Sequence, residues 1–491
     1  MSDDFDLVVI GSGPAGEKGA AQAAYHGKTV AIVEQAPAPG GIAVSTAGIP
    51  TKTLRETVLY LSGFRNREVY GLGLKLDPAI ALECLRTREA EVVTLMTRAV
   101  ERNIARHGID LIRGHARLGP DRTVHVSSIG GHERTLRARV ILLATGSHPV
   151  LPAGVPLDDP DVHDPVQILG LDRIPSSLLV VGGGAVGCEY ASIFAALGVD
   201  VTLVTPGPCL LRCLDAEISQ LQAEIFSGMG IRLVLGAPFA AVRRVGTTLE
   251  VSVATGQTFR PEKVLFAMGR AGNTEGLGLD MAGVAIGESG DIVVDEQYET
   301  TASGIYAAGD VIGPPRLASV SMEQARVAIC HAFGIEFKDT VDVLAPLCVY
   351  SIPEVAMVGM TEAQARAAGV DCETGRALFS ANAKAKISGF YEGMVKLVFR
   401  RADRVLLGVH ILGESASELI HLGQFVLHQK GPIDRFIHAT FGVPTRSEAY
   451  KYAAYDGLTR LERRRGQSTK PASPVPTSVG TELSRTTSVP R

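Results

Sequence analysis

The feature that most constrains this chain is one pattern met twice: a short β-branched run, a Gly-x-Gly-x-x-Gly turn, a helical stretch and a second β-branched run. The first copy is Leu7-Val8-Val9-Ile10, then Gly11-Ser12-Gly13-Pro14-Ala15-Gly16, an alanine-rich helix pattern to about Tyr25, and a strand from Thr29 to Val33 closed by Glu34. The second begins Leu178-Leu179-Val180-Val181 and continues Gly182-Gly183-Gly184-Ala185-Val186-Gly187. It then runs as a helix through Phe194 to a strand from Val201 to Val204. Each copy reads as a β-α-β unit with buried parallel strands. The first glycine permits the tight turn, the second lets backbone approach a diphosphate, and the third lets helix and strand pack closely. The diphosphate would sit on the helix N-terminus, where unpaired N–H groups and the helix dipole favour negative charge. Two copies predict an α/β protein with two Rossmann-like dinucleotide sites, and two dinucleotides that meet.

The copies differ where specificity is set. Glu34, 23 residues after Gly11, is an acid placed to accept hydrogen bonds from an adenosine ribose, whereas 23 residues after Gly182 stands Thr205. An acid there would repel a ribose 2′-phosphate, and threonine does not. Arg212, seven residues on, is a candidate partner for that phosphate through its guanidinium fork; the alternative is an ordinary surface arginine. The second site therefore permits NADP. Further strand–glycine junctions follow at Ala144-Thr145-Gly146 and Met268-Gly269-Arg270. In Gly304-Ile305-Tyr306-Ala307-Ala308-Gly309-Asp310 an acid follows a strand and a glycine, placed to bond a sugar-like chain.

A chain of 491 residues exceeds what one compact core holds, and three domains are expected. A net charge of −4 and a pI near 6.3 argue against a nucleic-acid or membrane-surface protein. No apolar stretch reaches the roughly 18 residues a membrane helix needs, and the acidic start from Met1 to Asp6 is no signal peptide. Seven cysteines without a CxxC pair fit a reducing cytoplasm, with thiols packed as small hydrophobes. No metal-ligand cluster is visible.

In this order the motifs resemble the flavoprotein disulfide reductases, over about residues 5 to 463. The resemblance implies FAD on the first unit, with Glu34 on the adenosine ribose and Asp310 on the ribityl chain, and NAD or NADP on the second. It implies cofactor contacts from Gly11, Gly13, Gly16, Glu34, Gly41, Lys52, Ala116, Thr145, Gly146, Gly182, Gly184, Gly187, Thr205, Arg212, Gly269, Arg270, Gly309, Asp310 and Ala318. It also implies a catalytic pair near flavin N5: Lys52, in Ile49-Pro50-Thr51-Lys52, with Glu189, in Gly187-Cys188-Glu189. The ammonium would stabilise negative charge as the ring accepts hydride, and the glutamate would offset the cost of burying it. A purely structural salt bridge is the alternative.

The departures from that family matter most. Its disulfide members carry two cysteines on this helix, where the present chain has Ala43 and Gly48 within Gly40-Gly41-Ile42-Ala43-Val44-Ser45-Thr46-Ala47-Gly48. Without thiolates there is no thiol–disulfide exchange. The family's C-terminal His-Pro-Thr-x-x-Glu reads Val443-Pro444-Thr445-Arg446-Ser447-Glu448, so the acid–base histidine is missing while Glu448 stays. The nearby His438 reads as a helix-face residue. What remains is hydride transfer from NAD(P)H to flavin and onward to a second acceptor.

Gly187 to Phe194, Gly375-Arg376-Ala377, Phe441 to Thr445 and Glu448-Ala449-Tyr450 resemble the soluble transhydrogenase branch, the Si-specific type. Ala185 fits too, a small residue leaving the flavin face open. That resemblance implies ping-pong transfer between NADPH and NAD+ at one nicotinamide site. An NAD(P)H:quinone reductase of the same fold is the alternative. A flavoprotein that only reports redox state to a partner is a third, opposed by intact Lys52, Glu189 and both fingerprints.

The expected organisation is an FAD domain at 1–152 and 274–342, an NAD(P) domain at 153–273, and an α+β dimerisation domain at 343–465. The last would build a two-fold homodimer or a higher homo-oligomer. Ala79 to His107 reads as a long helix whose Arg88, Glu89, Glu91, Arg98, Glu101 and Arg102 form a solvated face. Residues 466–491, rich in Ser, Thr and Pro, read as a disordered tail.

Overall fold

The computed structural model describes residues 3–63, 77–128 and 130–467, with side chains placed through Arg463. β1 (Asp4–Ile10) lies inside the first sheet because its apolar run has no polar face: Leu7, Val8 and Val9 are fully buried. It runs parallel to β2 (Val30–Glu34), with Leu7 opposite Val30, and to Glu133–Leu143, with Leu7 opposite Val140. The strand order is Asp110–Arg113, β2, β1, Glu133–Leu143, Thr123–Ser127 and His115–Leu118. Ile305–Ala307 returns from far along the chain to pair with Glu133–Leu143, which brings the Gly309-Asp310 turn beside the first glycine loop. The helices α1 (Pro14–Tyr25), α2 (Gly41–Ser45) and α3 (Ile49–Leu61) carry the chain away from that loop.

The second sheet repeats the scheme. Arg232–Val234, Asp200–Val204, Ser177–Val181, Lys263–Phe266 and Val162–His163 lie side by side, all parallel. The helix Ala185–Ala196 packs on them through Tyr190, Ala191 and Phe194. A third, antiparallel sheet of five strands runs Leu347–Val349, Val355–Gly359, Leu406–Leu412, Met394–Arg400 and Cys372–Leu378. Its core is closed by the helices Ala416–His428 and Glu448–Gln467, with Ile420 and Tyr450 fully buried. The architecture is α/β with two Rossmann-like units and an α+β third unit.

Two details differ from the sequence reading. Pro78–Arg106 is the expected long helix, capped by the Asp77 side chain on the backbone N–H groups of Ala79 and Ile80. Glu89 leaves its solvated face, however: it is half-buried at an apolar cavity lined by Leu54, Leu85, Tyr190 and Phe194. Burial there pushes its carboxyl up. The last helix runs to Gln467, two residues into the expected tail, and the remainder of the tail lies outside the described residues. Among the described residues, no helix is long and apolar enough to cross a membrane.

Candidate active site

Both glycine loops are shaped as their spacing predicts. Gly11 and Gly182 hold φ of +98° and +127°, angles that side-chain-bearing residues rarely adopt. A Cβ on Gly16 would lie 1.9 Å from the Gly11 carbonyl oxygen, and one on Gly187 would lie 1.9 Å from that of Gly182, so the third glycine is set by packing. The second glycines face open space: a Cβ on Gly184 would meet nothing within 4 Å, and one on Gly13 only the Gly41 Cα at 3.9 Å. Gly13 and Gly184 are also the N-caps of α1 and Ala185–Ala196, and neither helix end is capped by a side chain. Open space above uncapped N–H groups fits a diphosphate at each unit.

The other predicted contacts gather around these loops. Glu34 is buried and accepts from Ser12 N–H (2.9 Å), Ser12 Oγ (2.5 Å) and Ala36 N–H (2.7 Å), so it braces the first loop besides offering its remaining lone pairs. Gly41 closes on the same loop, its Cβ position 2.8 Å from the Gly13 Cα. Ala116 is buried on His115–Leu118, two residues beyond Gly114, whose N–H donates to the Glu34 carbonyl. The Thr145 hydroxyl donates to the Asn273 carbonyl (2.8 Å), whose residue returns its own N–H to Gly146 (2.9 Å). Asp310 accepts from Ser147 Oγ (2.5 Å), which accepts in turn from Arg270 Nε (2.7 Å). Gly269, at φ +126°, accepts from Val150 N–H. Gly309 donates to Gln324 on the helix Ala318–Phe333, so Ala318 opens the helix that holds the Asp310 turn. At the second unit Thr205 is buried against Gly183. Arg212 is exposed and makes no ion pair among the described residues, on a loop tied back by Leu211 N–H to the Gly183 carbonyl (2.8 Å).

The predicted catalytic pair lies where the units meet. Lys52 on α3 donates to both carboxylate oxygens of Glu189, at 3.0 and 2.8 Å, although 137 residues separate them. Glu189 is 6% exposed and Lys52 31% exposed, so the pair opens on the lysine side. A third unit completes it: the Tyr350 N–H donates to Glu189 Oε1 (2.9 Å), and the Tyr350 ring lies 5.0 Å from Lys52 Nζ.

Residues 5–331 match the pyridine nucleotide-disulphide oxidoreductase family, and residues 345–454 match the dimerisation domain of that family. The chain belongs to the pyridine nucleotide-disulphide oxidoreductases. Membership makes it a flavoprotein oxidoreductase with FAD and NAD(P) as cofactors and a dimerisation domain at its C-terminal end. The soluble pyridine nucleotide transhydrogenase of Mycobacterium tuberculosis is 40% identical over 459 residues, 93% of this chain and 98% of that protein. The soluble pyridine nucleotide transhydrogenase of Ectopseudomonas mendocina is 38% identical over 464 residues, 93% and 99% of the two chains. Among solved structures, the flavoprotein disulfide reductase RclA of Escherichia coli superimposes with a TM-score of 0.84 at 27% identity, covering 93% of this chain and 99% of that one. LpdA of Mycobacterium tuberculosis gives 0.83 at 30% identity, covering 91% and 99%.

At the two positions that the family resemblance assigns to thiols, the chain carries Ala43 and Gly48. A Cβ built on Gly48 would run into the Ala43 backbone, 2.5 Å from its carbonyl oxygen and 3.1 Å from its Cα. All seven cysteines are free, and those near the site are poor thiolates. Burial, with the Glu189 charge adding to it, pushes the Cys188 thiol far up, and burial pushes Cys348 up to about 11. Val443 is 76% exposed, Glu448 accepts from Thr445 N–H (3.3 Å), and His438 is exposed at the end of the helix Asp434–His438. Two participants escaped the sequence reading. Ser147 directly follows the Thr145-Gly146 junction that marked its neighbourhood. Tyr350 carried no motif.

Proposed function

We propose that the chain is a soluble NAD(P)+ transhydrogenase of the Si-specific type, moving hydride between NADPH and NAD+ without a redox-active disulfide. The observation that carries this reading is an intact Lys52–Glu189 pair in a site with Ala43 and Gly48 at the two thiol positions. Bound FAD would supply the hydride acceptor and donor. The protein's part is positioning and electrostatics. Lys52 keeps a positive charge at the end of the site, and Glu189 pairs that charge through both oxygens. The single nucleotide loop Gly182–Gly187 serves both nucleotides in turn, hence ping-pong kinetics. Thr205 and Arg212 admit a 2′-phosphate without excluding NAD(H). No side chain has to move a proton, in keeping with Val443 in place of the family's histidine.

The names of relatives 38–40% identical over nearly their full lengths support this assignment. We assign the exposed Phe425, Tyr452 and Tyr455 on the two C-terminal helices to a homodimer contact, and the free thiols to a cytoplasmic setting. The test is anaerobic NADPH oxidation by the FAD-loaded protein, with thio-NAD+ and then a naphthoquinone as acceptor. Parallel-line kinetics with thio-NAD+ are expected. Turnover with the quinone alone would overturn the reading in favour of a quinone reductase.

A further inference from the structure

The Lys52–Glu189 pair joins two helices that also pack through Val58, Leu59, Ile193 and Ala196, and a loop of the third sheet is fastened to both of them at the pair. Three consecutive residues of that loop, 350–352, are each held by a different side chain. Tyr350 N–H donates to Glu189 Oε1 (2.9 Å), the Ser351 carbonyl accepts from the buried Arg55 Nε (3.0 Å), and Ile352 N–H donates to Ser192 Oγ (3.0 Å). Ser192 in turn donates to the Glu189 backbone carbonyl (3.0 Å). Arg55 lies one turn beyond Lys52 on α3, and Ser192 lies three residues beyond Glu189 on its helix. The loop therefore grips both helices at the pair itself.

The ring of Tyr350 has a more particular place. It stands 5.0 Å from Lys52 Nζ, inside the range in which a ring face attracts an ammonium. The donors of Lys52 are directed to Glu189 and to Thr51 Oγ1 (3.2 Å). The Tyr350 hydroxyl makes no hydrogen bond among the described residues, so the ring rather than the phenol oxygen is the feature this position uses.

We propose that Tyr350 is a positioning residue for hydride transfer: its ring fixes the Lys52 ammonium against Glu189 and thereby sets the flavin's two-electron potential. The proposal rests on the reading of Lys52–Glu189 as the pair beside the flavin, and is independent of which acceptor takes the hydride. A fixed cation favours the reduced, more negative ring. A lysine released into water favours it less, so loss of the ring lowers the potential.

The test uses FAD-loaded Tyr350→Leu and Tyr350→Phe, with the flavin potential measured against a reference dye and flavin reduction by NADPH followed in the stopped flow. Tyr350→Leu is expected to shift the reduction equilibrium about three- to tenfold, which is ~15–30 mV more negative for a two-electron couple, and to slow reduction by a similar factor. Tyr350→Phe keeps the ring and stays at the parental potential. In a Lys52→Met background Tyr350→Leu should add nothing, because the ring acts through the ammonium. If Tyr350→Leu does not retain FAD, Tyr350→Met takes its place in the same measurements. A Leu or Met variant at the parental potential overturns the proposal. So does an equal shift in the Lys52→Met background, or a Phe variant that shifts as far as Leu. Failure to turn over with thio-NAD+ would leave these half-reaction readouts unchanged, so it tells against the transhydrogenase reading alone.

Discussion

Removal of the Arg212 guanidinium should weaken NADPH and leave NADH alone. Arg212 is exposed and without an ion pair among the described residues, yet not loosely placed: its Cδ would lie 3.0 Å from a Cβ on Gly207, so the stem packs over that glycine. The loop is tied at both ends, by Leu211 N–H to the Gly183 carbonyl and by Gly236 N–H to the Gly207 carbonyl, each 2.8 Å. A hydrogen bond to a charged group contributes about 1.5–3 kcal/mol and an exposed ion pair only about 0.2–1 kcal/mol, and a contact from an arginine whose stem is packed falls between the two. Arg212→Gln is therefore expected to raise the NADPH dissociation constant about five- to tenfold, by the usual ~1.4 kcal/mol per decade. The loss should shrink as salt screens the interaction. Thr205→Asp approaches the same contact from the other side. Thr205 is 6% exposed against Gly183, and a carboxylate there repels a 2′-phosphate while offering the NADH ribose an acceptor. Anaerobic stopped-flow reduction of the flavin gives the dissociation constant for each nucleotide. Equal weakening of NADH and NADPH by Arg212→Gln, or weakening of neither, would refute the assignment of this loop to the 2′-phosphate.

Three further outcomes are expected. Gly16→Ala drives a Cβ to 1.9 Å from the Gly11 carbonyl oxygen and should yield protein without yellow flavin, checked by its absorbance after gel filtration. Gly187→Ala makes the same clash at Gly182 and should keep FAD, yet lose reduction by NAD(P)H as read by flavin bleaching. Lys396→Met removes a 2%-exposed ammonium held at 2.8 Å by Asp215, 3.0 Å by Glu217 and 2.9 Å by Glu362, and leaves the 3%-exposed Asp215 unpaired. A loss of about 3–5 kcal/mol follows, to be seen as a lower urea midpoint. Burial pushes these three carboxyls up, but the Lys396 ammonium, with Arg376 beside Glu217, more than reverses it and holds all three below the usual carboxylate range. Their stabilisation is present above the unfolded carboxylate value, near pH 4–4.5, and lost as pH falls through the lowered values, so the acid limb of a stability–pH profile should flatten in Lys396→Met.

The sequence spoke clearest where one residue type answers one local geometry. Gly11, Gly16, Gly182 and Gly187 are legible because a positive φ or a 1.9 Å approach leaves no other choice, and β1 is legible because a strand buried on both faces has no polar residue to spare. Lys52 and Glu189 were legible only through family resemblance. Nothing in the local pattern of either predicts a partner 137 residues away. Tyr350 was invisible because its role comes from a backbone N–H and a ring delivered by a different sheet. Glu89 was misplaced because a charged helix face in sequence says nothing of what packs across from it, here Leu54, Tyr190 and Phe194. The Lys396 cluster has the same cause: an isolated lysine within Met394–Arg400 reads as an outward residue of an antiparallel strand until the N-terminus of Ala216–Gly228 brings Asp215 and Glu217 to it and the helix Glu362–Ala367 brings Glu362.

At the two positions that the family resemblance assigns to thiols, the backbone as well as the side chains bears on the proposed loss of thiol chemistry. Gly48 has φ −107° and ψ −88°, and a Cβ built on it would lie 2.5 Å from the Ala43 carbonyl oxygen and 3.2 Å from its carbon. Both are backbone atoms, which cannot swing aside as a flexible side chain can. A cysteine at 48 therefore needs the turn between α2 and α3 to move before its sulfur can be placed at all. That turn leads directly into Pro50 and Lys52 on α3, which Arg55 anchors to the loop of the third sheet. Shifting it to admit a thiol would strain the helix that presents the ammonium to Glu189. On the proposed hydride-transfer reading, the site depends on that ammonium's position and has no use for the sulfur. The backbone that places the ammonium against Glu189 thus leaves no room for a side chain at 48 as it stands.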